Sequence, residues 1–390
     1  MSNYPGFEVF SEGAQDSTIL KEVIGQHMNK GIAKLIQPLS EETMLAIQQQ
    51  IAVTADWQEV TLKANVLPIV ARVSSRIFTG PQLCRDSAWL RLTSDYTTQA
   101  VRAVYAMRVW PAPLRPIVHW FLPACCRLRA DVHEARRVIN EVLRERGKAQ
   151  SAWEESYKHH DDALAWFERQ AKGRPYDASL AQMVLAFVSA HTTTDLLTQV
   201  LIDVSQHEYI VQPLRDEIRE ATERHGITAV ALQAMGLLDS VIKESQRLKP
   251  ISIASMRRVA KSDIRLSDGT FISQGSSLMV LSDRHWDEEL YHRAQEWDGY
   301  RFLRRAQTAS DQAGAANLVA TSPEHLGFGY GLHACPGRFL AAHMIKIVMI
   351  HLLQNYDWRL SQGQKPRIRK TGIFLDSDSN VKMEFRRRKT

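Results

Sequence analysis

The stretch from Ser179 to Val204 restricts the fold of this chain more than any other feature. It is apolar and rich in small residues along most of its length. A helix that is hydrophobic on all sides has to be buried. No stretch of the chain reaches 18 uninterrupted apolar residues, so no membrane span is expected. The stretch therefore predicts a long buried helix, and its middle carries a polar, β-branched tract that is locally unfavourable in a helix.

The order of the remaining patterns predicts an α+β fold that is mostly helical. Helical spacing over residues 19–53 is expected to break near Pro38, and a charged helix over residues 127–150 is expected to end at Gly147. Strand patterns come late: residues 262–280 read as a hairpin, and short closing strands follow near the end of the chain. Helices first and small sheets afterwards are typical of an α+β domain.

Composition limits the class of protein. The chain has 390 residues, of which 44% are hydrophobic and 24% charged, and no linker-like segment divides it. We therefore expect one domain over residues 1–390, acting as a monomer. The net charge of +6 comes largely from local basic clusters, which read as solvated surface or as a face for an acidic partner. No nucleic-acid-binding motif accompanies them, and the four cysteines have no disulfide or zinc spacing.

The segment Phe328–Arg338, named here the Cys335 loop, carries the most specific chemistry. A cysteine follows a glycine-rich turn and directly precedes an apolar helix predicted over residues 338–354. Glycines permit positive φ angles and a close approach to a flat group. The free N–H groups and dipole of a helix start favour a nearby thiolate. A buried structural cysteine is the alternative for an isolated Cys335, but the whole pattern suits a thiolate ligand of heme iron.

This loop resembles the heme-binding signature of the cytochrome P450 superfamily. Phe328, Gly331, His333, Cys335 and Gly337 match its positions. The resemblance implies that Cys335 is the axial iron ligand and that the cofactor is heme b, iron protoporphyrin IX. The signature's basic position more often holds Arg, and here His333 would hydrogen-bond a heme propionate.

Arg338, the first residue of the following helix, is also expected to contact the cofactor. Together with Phe328, His333 and Gly337, it completes the cofactor-binding set that the resemblance implies.

A second resemblance concerns Glu244 and Arg247. At i and i+3 on a helix the two side chains share a face and can pair; alone, such a pair is most often an exposed salt bridge. Its place before the Cys335 loop resembles the family's Glu-x-x-Arg motif. Arg301 resembles the arginine of the family's meander motif. The resemblance implies a structural triad of Glu244, Arg247 and Arg301 rather than a catalytic one.

The polar tract of the long helix resembles the oxygen-activating stretch of the family. Ser189 stands at the usual Gly, His191 at the usual acid and Thr192 at the usual Thr. The resemblance implies that Thr192 hydrogen-bonds dioxygen, or Thr193 in a register one residue later. An imidazole at the acid position is a departure from the family. His191 is therefore expected either to relay protons itself or only to shape the pocket. Hydroxyls bonded back to helix carbonyls are the structural alternative.

The substrate contacts that the resemblance implies form an apolar set. A set of this kind suits a hydrophobic substrate such as a terpenoid. The contacts come from the long helix, from the segment after Pro250 and from the tail: Leu185, Val188, Ser189, Ile251, Ile253, Ile373 and Phe374.

The implied activity is a heme-thiolate monooxygenase of the fungal secondary-metabolism type, similar to ent-kaurene oxidases. It would insert one oxygen atom of O2 into a terpenoid or other secondary metabolite. Electrons would come from NADPH through NADPH–cytochrome P450 reductase, with cytochrome b5 as a further donor. Two alternatives are a heme-thiolate isomerase or dehydratase and a non-catalytic remnant that binds heme poorly.

The family's location is the endoplasmic reticulum membrane surface. This chain has no leader or anchor pattern at its start, so a cytoplasmic location is the alternative. The resemblance also implies that the family's N-terminal anchor and first sheet are missing, because residues 1–18 read as if they follow both.

Overall fold

The chain is mostly helical in the computed structural model, which describes residues 4–14, 18–152, 160–308 and 313–388. The α+β class is thereby confirmed, since the helices dominate and the small sheets come mainly from the last third of the chain. The α-helices are α1 Glu8–Ala14, α2 Thr18–Glu22, α3 Ile32–Gln50, α4 Leu62–Phe78, α5 Gly80–Leu83, α6 Ser87–Arg108, α7 Arg115–Val118, α8 Pro123–Ala152, α9 Ala163–Ala171, α10 Ala178–Gln206, α11 Val211–His225, α12 Ala229–Ala234, α13 Gly236–Leu248, α14 Arg301–Thr308, α15 Ala313–Ala316 and α16 Arg338–Asn355.

All the strand pairs in the described residues are antiparallel. The three-stranded sheet has the order β1-β9-β6, and the other pairs are β2-β5, β3-β4 and β7-β8. The strands are β1 Gln58–Thr61, β2 Ala254–Val259, β3 Ile264–Arg265, β4 Phe271–Ile272, β5 Ser277–Leu281, β6 Tyr356–Leu360, β7 Arg369–Thr371, β8 Phe374–Asp376 and β9 Lys382–Arg387.

The contacts divide the chain into two compact units. The first comprises the described parts of Met1–Ala52, Ala64–Thr194 and Ile227–Ala229. Its hydrophobic core includes Trp89 and Tyr96 of α6, which are both almost fully buried. The indole of Trp89 donates a hydrogen bond to Ser75 Oγ at 3.1 Å, so this large side chain is buried without leaving its N–H unpaired.

The second unit comprises the described parts of Val53–Lys63, Asp195–Gly226 and Val230–Thr390. It holds all nine of the described strands and the whole Cys335 loop. In its three-stranded sheet, β9 lies between β1 and β6. The β9 side chains of Met383 and Phe385 are buried.

Two predicted helix boundaries are wrong. Pro38 lies inside α3, and the interruption comes earlier, at Gly31, after a π-helical turn over Val23–Asn29. A Cβ at Gly31 would lie 2.4 Å from the His27 carbonyl oxygen, so only glycine fits this tight passage. Gly147 likewise lies inside α8, which runs to Ala152.

The predicted hairpin is only partly right. Strands β3 and β4 pair around the expected turn, with Ile264 opposite Ile272. The segment that follows, β5, belongs instead to a separate pair with β2. The buried helix is confirmed as α10, and the apolar helix after the cysteine as α16. Within the described ranges, no helix has the length and apolar character that a membrane crossing requires.

Candidate functional site

The Cys335 loop closes on itself just before α16. Gly329 and Gly331 have φ angles of +70° and +72°, a region that residues with a Cβ rarely adopt. A 3-10 turn over Gly331–His333 follows, and the Cys335 N–H then donates to the Phe328 carbonyl at 2.8 Å. The two glycines therefore bring the cysteine back beside the start of the loop.

The N–H groups of Gly337 and Arg338, at the start of helix α16, donate to the Cys335 sulfur. The helix N-cap, Gly337, has no capping side chain, so the first N–H groups of the helix have no partner within it. Burial raises the pKa of the partly buried Cys335 thiol, and this exceeds the lowering effect of the N–H groups of Gly337 and Arg338 and of the Arg338 charge. The favourable helix start is visible in the sequence, whereas the opposing effect of burial becomes visible only in the fold.

The side chain of Arg338 binds two backbone carbonyls, one of them that of Cys335. Its Nη1 donates to the Cys335 carbonyl at 2.8 Å, and its Nε donates to the Val319 carbonyl at 3.1 Å. His333 lies exposed in the 3-10 turn. The guanidinium of Arg338 thus fixes the main chain on which the sulfur is mounted.

Glu244, Arg247 and Arg301 meet in one buried cluster of the second unit. Arg247 donates to both carboxylate oxygens of Glu244 at 2.8 Å, and Arg301 Nε donates to Glu244 Oε1 at 3.0 Å. The side chains of Glu244 and Arg247 are 0% exposed and that of Arg301 is 8% exposed. This cluster is therefore not an exposed salt bridge of the ordinary kind.

The two arginines also hold an irregular segment of the chain. Arg247 Nη1 donates to the carbonyls of His285 and of Ala294, the latter at 2.7 Å. Arg301 donates to the carbonyls of Arg293 and Glu296 at 3.1 and 3.0 Å. Buried carbonyls need donors, and here guanidinium groups replace the backbone partners that a helix or sheet would provide.

The two basic residues that follow Arg301 in α14 each lie close to an acidic side chain. Arg304 pairs with Asp298 and is largely exposed. Arg305 lies 3.6 Å from a Glu324 carboxylate oxygen and stacks over the Tyr291 ring. The sequence favoured solvated surface for the basic cluster of Arg301, Arg304 and Arg305; this is wrong for Arg301, which is buried, and applies to Arg304.

Two residues of the polar tract of α10, His191 and Thr192, are hydrogen-bonded within the first unit. Thr192 is exposed, and its Oγ1 donates to the Val188 carbonyl at 2.8 Å. His191 Nε2 bonds the Ser94 carbonyl at 2.9 Å, so this nitrogen is the donor. Thr193 is buried. Of the two hydroxyls proposed for oxygen activation, that of Thr192 is the accessible one.

Asp195 has a role that the sequence did not reveal. Within the second unit its Oδ1 accepts from Lys63 Nζ and from both the N–H and the hydroxyl of Ser377, each at 2.8 Å. Its Oδ2 accepts from Lys249 Nζ. The carboxylate is buried and joins segments far apart in sequence. The polar tract signalled a special position, but no local pattern names these partners.

Four of the proposed substrate contacts come together in the second unit. The Ile253 N–H donates to the Ile373 carbonyl at 2.9 Å, and the Leu375 N–H donates to the Ile251 carbonyl at 3.1 Å. An isolated β-bridge pairs Phe374 with Ser252, and Phe374 is 53% exposed. These residues therefore form two adjacent extended segments.

The three other proposed contacts lie on α10 in the first unit. Leu185 is buried, Ser189 is partly buried, and Val188 is 51% exposed. Their spacing places them on one side of the helix together with Thr192.

Comparison with known proteins points to a single family. The family model described as cytochrome P450 matches residues 18–385. The cytochrome P450 monooxygenase TRI1 of Fusarium sporotrichioides is 44% identical over 98% of this chain and 70% of its own length. The monooxygenase hepE of Aspergillus oryzae is 41% identical over 99% of this chain and 71% of its own. Cytochrome P450 monooxygenase 1 of Gibberella fujikuroi is 39% identical, over 100% and 89% respectively.

A solved structure has the same fold. The cyanobacterial CYP120A1 with bound retinoic acid superposes with a TM-score of 0.68 at 19% identity, over 95% of this chain and 77% of that one. At that identity the likeness concerns the fold alone. The family model and the fungal monooxygenases together carry the assignment, and this chain belongs to the cytochrome P450 family of heme-containing oxidoreductases.

Proposed function

We propose that the chain is a heme-thiolate monooxygenase in which Cys335 ligates the iron. The observation that carries this proposal is the Cys335 loop, where two positive-φ glycines close the backbone and the N–H groups of the α16 start donate to the sulfur. A thiolate donor in such a loop suits heme iron. That the whole chain forms one monomeric domain stays a prediction.

The residues around the sulfur fit a heme ligand. The raised pKa of Cys335 disfavours a free thiolate, but a coordinating metal deprotonates a thiol outright. The N–H groups of Gly337 and Arg338 then stabilise the sulfur's charge. Phe328, His333 and Arg338 would complete the cofactor's surroundings. Bound heme would supply the one-electron and dioxygen chemistry that no side chain can provide.

Thr192 and His191 are the residues that we propose for proton supply. The Thr192 hydroxyl now donates to the Val188 carbonyl; to serve another acceptor it must leave or share that bond. The His191 Nε2 proton is engaged by the Ser94 carbonyl, so a relay through this ring would use Nδ1. His191 therefore has two candidate roles, as a relay or as a positioning group for α10.

The substrate that we propose is a hydrophobic secondary metabolite such as a terpenoid. Phe374 and Ile251 are exposed apolar side chains on adjoining segments of the second unit. Apolar lining with a few polar groups is typical of sites for such ligands. Electrons would come from NADPH through NADPH–cytochrome P450 reductase, with cytochrome b5 as a second donor. The membrane surface where that reductase acts is the proposed location.

The test is the carbon monoxide difference spectrum of the reduced, purified chain. We expect the band typical of a thiolate ligand, and we expect Cys335→Ala to abolish it. Cys335→His would keep a protein ligand but should shift the band away from the thiolate type. Cys84→Ala is the matched control, because Cys84 is a buried cysteine whose Sγ donates to a backbone carbonyl, that of Pro81. A thiolate-type band in Cys335→Ala would contradict the proposal.

Two other activities are outcomes of a second measurement. Substrate-dependent consumption of NADPH and O2 with an oxygenated product supports monooxygenation. Product formed without either consumption would indicate a heme-thiolate isomerase or dehydratase. A chain without heme would instead be a non-catalytic remnant.

A further inference from the structure

His285 is a fully buried histidine whose two ring nitrogens are both bonded. It lies in the 3-10 turn Asp283–Trp286 and is 0% exposed. Its Nδ1 lies 3.1 Å from the Arg247 carbonyl oxygen, and its Nε2 lies 2.7 Å from the Leu326 nitrogen. In return, the Arg247 side chain donates to the His285 carbonyl. The imidazole thus stands between the buried triad and the entrance to the Cys335 loop.

These partners determine the tautomer of the ring. The Leu326 N–H can only donate, so Nε2 of His285 must accept. The ring proton therefore lies on Nδ1, which donates to the Arg247 carbonyl. A doubly protonated ring would have no acceptor for Leu326. Burial keeps the ring neutral, because it lowers the pKa of His285 to about 4.

The three residues before the Cys335 loop, residues 325–327, contact either His285 or helix α13. The His325 ring stacks on His285 with centroids 4.9 Å apart. Leu326 donates its N–H to His285 Nε2. At Gly327 an added Cβ would lie 2.2 Å from Gln246 Oε1, so the backbone lies directly against α13. Two residues beyond Leu326, the Phe328 carbonyl accepts the Cys335 N–H.

We infer that His285 is a positioning residue for the thiolate ligand. Its neutral ring joins Arg247 of the triad to Leu326, and the segment Leu326–Phe328 joins Leu326 to the backbone of Cys335. Nε2 is the essential atom of the ring, because it accepts the N–H of Leu326, two residues before the Cys335 loop begins. The triad and the sulfur are thereby connected through one imidazole and one backbone hydrogen bond.

Two substitutions separate the two bonds of the ring. In His285→Gln, the side-chain oxygen is as many bonds from Cβ as Nε2, so it can accept from Leu326. In His285→Asn, the amide reaches only as far as Nδ1, so it can serve Arg247 but not Leu326. His207→Gln is the matched control: His207 also bonds a carbonyl, that of Asp203 at 2.8 Å, and stacks on Trp297.

The readouts are amide hydrogen exchange at Leu326 in the heme-loaded chain and the share of its reduced carbon monoxide complex with the thiolate-type band. In His285→Asn we expect exchange about tenfold faster, the size of one lost hydrogen bond, and a smaller thiolate share. In His285→Gln and His207→Gln both readouts should stay near those of the parent. Unchanged readouts in His285→Asn, or an equal loss in His285→Gln, would overturn the inference.

A measurement on the unsubstituted chain tests the inference even if a variant fails to fold. Nitrogen chemical shifts of the His285 ring should report the Nδ1–H tautomer, and an Nε2–H tautomer would overturn the inference. The thiolate share rests on the proposed role of Cys335, whereas the tautomer and the Leu326 exchange do not. A failure of the proposed function is therefore distinguishable from a failure of this inference.

Discussion

Replacing Glu244 by alanine should lower the free energy of unfolding by a large fraction of its total. The carboxylate accepts four hydrogen bonds, two from Arg247, one from Arg301 and one from the Asp298 N–H at 3.1 Å. The substitution would leave two guanidinium groups, 0% and 8% exposed, without a counter-charge. Breaking a buried pair in this way costs about 3–5 kcal/mol, against a total of about 5–15 kcal/mol for a folded protein.

The loss should lie within that range rather than above it, because both arginines keep their carbonyl partners. The free energy of unfolding would be measured by urea titration, with heme content per chain measured in parallel. Glu134→Ala is the control: Glu134 and Arg137 have the same Glu-x-x-Arg spacing at 2.6 Å but are 43% and 59% exposed. Water screens that pair, so no measurable change is expected. Equal unfolding midpoints and heme contents in the two variants would refute the reasoning.

Three further predictions concern catalysis, partner docking and pH. Thr192→Ala should consume NADPH with little product; if His191 relays protons, His191→Ala should behave alike and His191→Asp should recover coupling. Normal coupling in Thr192→Ala would move the role to the next threonine. Removing Arg304 and Arg305 together should slow reduction by the reductase and weaken its dependence on ionic strength; an unchanged salt dependence would exclude docking there. Burial lowers the pKa of His285 from 6.5 to about 4, so stability should fall as pH falls across that interval, and less so in His285→Gln.

Local patterns were sufficient for the helices that carry the site. The apolar run of α10 and the glycine, cysteine and proline before α16 are contained within a few residues, so both helices were predicted almost to their ends. The Cys335 loop was predictable for the same reason, because its glycines, its sulfur and its helix start are consecutive in sequence.

Breaker residues misled where packing outweighed propensity. Pro38 removes one helical hydrogen bond, yet α3 continues through it with Leu35 and Leu39 buried on either side. Gly147 costs about 1 kcal/mol relative to alanine in a helix, which a helix as long as α8 tolerates. Burial of a helix face offsets such penalties, and the sequence alone does not show what that face packs against.

Contacts between distant segments were beyond prediction. The bond between His285 and Leu326 and the convergence of Lys63, Lys249 and Ser377 on Asp195 join residues with no shared local pattern. In each case a buried polar group is hydrogen-bonded to a residue that only the folded chain brings close to it.

The three-stranded sheet of the second unit has a consequence for how the chain is made. Strand β1 pairs with β9, so Gln58 faces Phe385, and β6 pairs with the other side of β9. During synthesis β1 is produced long before its partner exists and must wait, unpaired, until the ribosome has reached residue 387. Such distant pairing forms slowly and leaves a strand edge open meanwhile. A ribosome stalled before β9 would therefore carry a chain in which β1 and β6 have no strand between them, and this sheet could not form.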